Sequence, residues 1–339
     1  MAVSVRDAIL WEAAGEGFVR CGLCAQNCKI ANGGRGLCGV RENDEGTLKT
    51  LVYGKVIASA VDPIEKKPLF HFLPASKTYS IATAGCNLRC DHCQNYSISQ
   101  LGRRSIPPGE YLSPEGAVKN ALASQSQSIS YTYTEPTVFM EYALDVMALA
   151  RGAGIKNVFV TNGFMSEAAL ELAAPNLDAV NVDLKGFSDE FYKGVCGGRL
   201  EPVLSNIREL HRLGVWVEVT TLVIPGYNDS ESELLRAAEF ISSVSPDIPW
   251  HLSAFFPTYK LLDASPTPFE TLEMAMNLGY KAGLKYVYAG NRHGRGGEST
   301  VCPECGEVLI GRKGFFVFSN KIGNNSTCAN CDAKIAGIF

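Results

Sequence analysis

The distribution of cysteine constrains this chain more than any other feature. Of 12 cysteines in 339 residues, all but Cys196 fall into three local groups. Cys21, Cys24, Cys28 and Cys38 form the first, Cys86, Cys90 and Cys93 the second, and Cys302, Cys305, Cys328 and Cys331 the third. The opening segment MAVSVRDAILWEAAGEG has no apolar stretch between a basic start and a cleavage site. A signal peptide is therefore not expected, and a cytoplasmic location is. In a reducing compartment, thiols spaced two to four residues apart point to metal rather than to disulfides.

Composition narrows the partners. Basic residues number 31 against 35 acidic ones, a net charge of −4, so bulk attraction to nucleic acid or to an anionic membrane is not expected. No stretch approaches the ~20 apolar residues that span a bilayer. With 46% hydrophobic and 19% charged residues the chain has the makings of a globular core.

Three zones follow along the sequence. Residues 1–75 are irregular, carry the first cysteine group, and hold short strands within LKTLVYGKVIASAV (48–61). Residues 76–299 alternate. Apolar, β-branched runs occur at 78–84, 128–134, 156–162, 177–184, 215–224, 249–255 and 284–290. Helix-period segments at 114–124, 136–152, 166–174, 200–214 and 231–243 lie between them. Strand–helix alternation implies parallel strands with crossover helices, and six or seven units predict an α/β fold, a partial (β/α)6 TIM-like barrel. Its active site belongs at the C-terminal strand ends. Residues 300–339 read as a short hairpin (308–322) between two Cys-x-x-Cys pairs.

The central sequence GCNLRCDHCQN directly follows the first barrel strand. Three thiolates on one short loop suit three irons of a [4Fe–4S] cluster and leave the fourth iron open, whereas a structural zinc site takes four protein ligands. Cys86-x-x-x-Cys90-x-His92-Cys93 in this position resembles the radical S-adenosylmethionine (SAM) superfamily. The resemblance implies that the open iron binds the amine and carboxylate of SAM. An electron from the cluster would then cleave SAM to a 5′-deoxyadenosyl radical that abstracts hydrogen. It also places His92 beside the adenine.

VTNG (160–163), VDLKG (182–186) and VIPGYND (223–229) resemble segments of glycyl-radical activating enzymes such as pyruvate formate-lyase activase. By that resemblance Thr161, Asn162, Asp183 and Lys185 line the SAM site. The activases carry Gly-Gly-Glu after the second strand. This chain has YTYTEPT (131–137), in which Glu135 stands in for the amine contact. An Arg near Thr220 is missing, and Phe256 stands where a His is often found. The wider order of CGLCAQNCKIANGGRGLCGVREN, VDPIEKKPLFHFLP, CNLRCDHCQNYSISQ and SYTYTEPTVF is similar to the AmmeMemoRadiSam-system radical SAM enzymes. That similarity implies Memo-like and AMMECR1-like partner proteins and an electron donor such as ferredoxin or flavodoxin. It supplies no substrate. Rival readings are an activase that places a glycyl radical on a partner, and a zinc-dependent scaffold protein.

The flanking groups each supply four thiolates. Cys21, Cys24, Cys28 and Cys38 suit zinc or a second iron–sulfur cluster, which spacing does not separate. Cys302, Cys305, Cys328 and Cys331 have zinc-ribbon or rubredoxin-like spacing, with zinc the favoured occupant and a single iron the alternative. About 40 residues bury little core, so metal would supply their folding energy. Cys196, in a Gly-rich setting, reads as a small buried residue or a reactive thiol. His71 and His251 read as hydrogen-bonded structural groups. The loop 290–299, with Arg292, His293 and Arg295, reads as a cover or an anion contact.

Overall fold

The chain folds around one long, mostly parallel sheet. A computed structural model describes residues 4–102, 105–291 and 296–339; Arg292, His293 and Arg295 lie outside them. The sheet strands, in chain order, are β1 (Lys55–Pro63), β2 (Lys77–Thr83), β3 (Glu110–Tyr111), β4 (Ser128–Tyr131), β5 (Lys156–Thr161), β6 (Ala179–Asp183), β7 (Trp216–Val223), β8 (Trp250–Ala254) and β9 (Val287–Gly290). Their spatial order is β9-β8-β7-β6-β5-β4-β2-β1-β3. Strands β2 and β4 to β9 run parallel, while β1 and β3 add antiparallel at one end. Each of the seven apolar runs thus holds a parallel strand, one more than a (β/α)6 count. Among the described residues no ladder joins β9 to β3.

Parallel strands read as continuous apolar runs because helices cover one face and core the other. The connecting helices are α1 (Pro114–Ala123), α2 (Met140–Gly152), α3 (Glu167–Ala173), α4 (Leu200–Arg212), α5 (Glu231–Val244) and α6 (Phe269–Lys281). Ser113, Ser166 and Ser230 cap α1, α3 and α5 by accepting from the backbone N–H of Gly116, Ala169 and Glu233. The helical segment expected from Pro136 opens as a 3-10 turn over Pro136–Phe139 before α2 begins. Helix α6 was not foreseen. It follows Pro268 with no side-chain cap, so the usual start signal is missing.

The segment 64–73, from the motif VDPIEKKPLFHFLP, fills the sheet's concave side. Ile64, Leu69 and Phe72 pack on Val158 of β5 and Ala179 of β6. The Glu218 carboxylate on β7 accepts from the backbone N–H of Phe70 (2.9 Å) and His71 (2.8 Å). The Phe70 ring meets Tyr288 of β9 at 4.8 Å between centroids. Lys67, three residues before Phe70, donates to Ser80 of β2 at 2.6 Å. Strands β2 and β9 are six ladder steps apart, about 29 Å on a flat sheet. This one segment thus touches β2, β5, β6, β7 and β9, so the strands curl around the plug.

The flanking zones pack on this body. Near the N-terminus, Arg41 and Glu141 of α2 form a buried ion pair at 2.7 Å. Near the C-terminus, Val308–Lys313 and Phe316–Asn320 form the expected hairpin. Its core includes Phe70, Tyr286 and Tyr288, so residues 300–339 rest on the plug and on β9.

Candidate active site

A cavity of about 470 Å³ opens at the C-terminal ends of the parallel strands. Cys86, Cys90 and Cys93 line it on the loop after β2, with Thr161 ending β5 and Asn162 just past it, and Asp183 ending β6 and Lys185 two residues beyond. This is where the chain's turns leave polar groups free to face a ligand.

The cysteine loop is shaped by neighbours distant in sequence. Arg89 N–H donates to Cys196 O at 2.8 Å, and Asp91 N–H to Val195 O at 2.9 Å. Gly85 turns the chain into the loop with φ +100°, and a Cβ there would stand 2.9 Å from Cys38 O and 2.7 Å from a Val40 methyl. Only glycine serves at this contact between the first and second cysteine groups. Cys86 Sγ receives Leu88 N–H at 3.4 Å and Asn162 Nδ2 at 3.7 Å. Cys93 Sγ lies 3.1 Å from Ser99 Oγ. The Cys90 thiol is pushed up by its contact with Cys196 and by burial, and Cys86 is pushed up by burial with Glu135 adding to it.

Five of the six residues expected at the SAM site line the cavity. His92 is buried, stacks on Phe191, and has Nδ1 without a partner. Burial, with Lys185 adding to it, pushes His92 down to about 3, so the ring is neutral at physiological pH. Lys185 Nζ donates to Asp183 Oδ2 at 2.9 Å. Burial opposes the Lys185 charge, but Asp183 outweighs it and holds the ammonium above its usual range. Glu135 is the exception and stands behind the wall. Its carboxylate accepts from Thr137 N–H (3.1 Å), Thr137 Oγ1 (2.6 Å), Thr161 Oγ1 (2.8 Å) and Asn162 N–H (2.8 Å). It ties the end of β4 to the end of β5 rather than facing the cavity.

Other lining residues were not singled out as site residues in the sequence. Lys66, Lys67, Tyr133, Thr220 and Ser253 all reach the same cavity. For the lysines a signal existed, two adjacent cations in an apolar, Pro-bounded segment. Cys196 is fully buried, and its sulfur lies with Cys90 Sγ and a His92 nitrogen within 4.8 Å of one another. As expected, His71 and His251 are hydrogen-bonded: His71 to Ala336 O (2.7 Å) and Tyr288 Oη (2.5 Å), His251 to Glu218 (2.6 Å).

The flanking thiols differ. Cys302 and Cys331 stand 3.7 Å apart, as do Cys305 and Cys328, and all four sulfurs lie within 4.8 Å of one another. A tetrahedral ion with M–S of about 2.3 Å needs edges of about 3.8 Å. The Asn330 amide and the Glu307 backbone N–H pull Cys305 down, while Cys305 in turn pushes its neighbour Cys331 up. Cys21, Cys24, Cys28 and Cys38 surround a second, small cavity with Arg41. Burial pushes Cys21, Cys24 and Cys38 up. Arg41 is fully buried, and its Nε and Nη1 have no acceptor.

A parallel α/β sheet with a three-cysteine loop at its C-terminal edge is the arrangement expected of a radical SAM enzyme, and the comparisons bear on the same residues. Residues 80–238 match the family model of the Radical SAM superfamily. An uncharacterized protein of Methanocaldococcus jannaschii is 47% identical over 336 residues, covering 98% of this chain and 99% of that protein. The pyruvate formate-lyase 1-activating enzyme of Escherichia coli K12 is 22% identical over 218 residues, 60% of this chain and 89% of that enzyme. Among solved structures, Streptococcus suis SuiB bound to precursor peptide SuiA shares the fold with a TM-score of 0.51 at 13% identity, over 68% of this chain and 52% of that one. The chain belongs to the radical SAM superfamily and is an enzyme. Among the described residues, no helix is long and apolar enough to cross a membrane.

Proposed function

We propose that Cys86, Cys90 and Cys93 hold a [4Fe–4S] cluster and that the cavity beside them takes SAM. One observation carries this reading. Three thiols from one loop face a single cavity whose wall also holds His92, Thr161, Asn162, Asp183 and Lys185. The donor set fits the group. Two buried thiols need a cation to ionise, and the buried His92 Nδ1 lacks a partner that a ligand in the cavity can supply. When bound, the cluster and SAM would supply an electron and a 5′-deoxyadenosyl radical that takes hydrogen from the substrate. The chain's own part is positioning. Asn162 donates toward Cys86 while Asn87 Oδ1 fixes its amide at 2.8 Å. Lys185 and Asp183 offer a cation and an anion to the ends of an amino acid. Neutral His92 offers a flat face to a base.

Electron paramagnetic resonance on anaerobically reconstituted, reduced protein tests this. The cluster signal is expected to change when SAM is added, and Cys90→Ala is expected to form no 5′-deoxyadenosine under dithionite. Wild-type-like turnover in that variant would overturn the ligand assignment.

The flanking groups complete the reading. The sulfur spacing of Cys302, Cys305, Cys328 and Cys331 suits one zinc ion. Cys21, Cys24, Cys28 and Cys38 take zinc or a second cluster, with Arg41 facing the negative charge. The order of motifs supports membership of the AmmeMemoRadiSam system, with Memo-like and AMMECR1-like partners and a ferredoxin or flavodoxin donor. Activation of a partner protein is the second reading, favoured by the likeness to pyruvate formate-lyase activating enzymes. Its signature is a glycyl doublet in the partner's spectrum.

A further inference from the structure

The motif VDPIEKKPLFHFLP is a plug, but its two lysines do not serve the plug's apolar packing. Both turn into the cavity that the cysteines line. Asp62, at the end of β1, accepts from Lys66 Nζ at 2.9 Å, Lys67 Nζ at 2.7 Å and Ser80 Oγ at 2.8 Å, and Tyr133 Oη donates to the same carboxylate. One carboxylate therefore faces two ammonium groups. The Lys67 side chain is 2% exposed and fixed, whereas that of Lys66 is 44% exposed and has donors to spare.

The other charges on the wall do not neutralise this surplus. Among the described lining residues the remaining charged side chains are Asp183 and Lys185, which pair with each other. Burial pushes Tyr133 up to about 12, with Asp62 adding to it, so its phenol stays neutral. Where Asp62 meets the cavity, the described lining residues thus carry one more positive charge than negative, on the half-exposed Lys66 and the buried Lys67. Thr132, Thr220 and Ser253 line the same cavity.

We propose that Lys66 and Lys67, held by Asp62, are the substrate-recognition floor of this cavity. The substrate is a small molecule bearing an oxyanion, carboxylate or phosphate, which the floor grips while its reacting carbon faces the cysteine end. This rests on the radical SAM reading of the same cavity. The 470 Å³ available must also admit SAM, which favours a small molecule over a folded surface.

Isothermal titration of inorganic phosphate and of malonate into the anaerobic, cluster-loaded full chain tests the floor, with glycerol as the neutral control. At least one anion is expected to bind saturably, and Lys66→Gln to weaken it tenfold or more. Lys66→Arg should restore part of the affinity, and the exposed Lys119→Gln should change nothing. Phosphate binding alone marks a phosphate ester, and malonate binding alone marks a carboxylate. Wild-type binding in Lys66→Gln, or no saturable binding of either anion, overturns the proposal. Lys66→Gln is preferred to a Lys67 variant, because Lys67 is buried and its loss would leave Asp62 with only the half-exposed Lys66 as a counter-charge. The SAM-dependent spectral change is read in the same samples. Its absence in wild type would sink the radical SAM reading, while the isotherm still reports on the lysines.

Discussion

Two cysteine groups in this molecule owe their order to different things. The central loop is held by protein. Its backbone is bonded to Cys196 and Val195, its entry glycine is wedged against Cys38, and Asn162 grips Asn87. The C-terminal group has four sulfurs drawn within 4.8 Å on a module whose outer strand, Phe316–Asn320, leaves Phe316 70% and Phe318 62% exposed. So little core cannot offset chain entropy without help. A reactive site is preorganised by the fold around it, whereas a structural site supplies the order itself.

On the proposal that the C-terminal thiols hold zinc, removing metal breaks this comparison most directly and carries the largest effect. Structural zinc contributes on the order of 10–16 kcal/mol in small zinc-binding peptides. Chelation, or Cys305→Ala, is therefore expected to abolish protection from hydrogen exchange across 300–339. Amides of the loop 86–93 should keep theirs. Equal loss in both places would show that the central sheet, too, depends on the metal proposed at the C-terminal thiols.

The two regions meet at the plug, where Glu218 gives the next largest effect. Its buried carboxylate accepts from Phe70 and His71 N–H, from Trp216 Nε1 at 3.0 Å and from His251 at 2.6 Å. Burial alone would push its pKa up, but His251 and the other donors outweigh it and hold the group ionised. Glu218→Ala leaves those donors unpaired in the interior and is expected to cost roughly 3–5 kcal/mol in chemical denaturation. A loss below about 1 kcal/mol would mean that apolar packing of Ile64, Leu69 and Phe72 holds the plug by itself.

What could be seen in advance follows the range of the interaction. Cysteine spacing is local chemistry, and the seven apolar runs are local patterns, so both were legible. Helix α6 was not, because Pro268 offers no capping side chain. The orientation of Glu135 depends on Thr161 and Asn162, a strand away. Cys196 reaches Cys90 only because the loop 86–93 pairs with the segment that carries it. Lys66 and Lys67 line the cavity because the plug enters a curled sheet, which no local pattern announces.

A smaller effect comes from pH and sharpens the junction further. His71 is fully buried, bonded through Nδ1 to Ala336 O and through Nε2 to Tyr288 Oη. The carbonyl can only accept, so Nδ1 carries the hydrogen and Nε2 accepts from the phenol, which fixes the neutral ring. Burial pushes His71 down to about 4, against the opposing pull of Glu218. The unfolded chain takes up this proton as pH falls through about 6.5, whereas the folded chain does so only near 4. Between those values the unfolded state binds more protons, so stability falls with falling pH. A gap of this size is worth about 3 kcal/mol by pH 4. His71→Gln, which keeps a donor and an acceptor but does not titrate, should flatten this part of the stability–pH curve. An unchanged slope in that variant would move the acid sensitivity to another buried group.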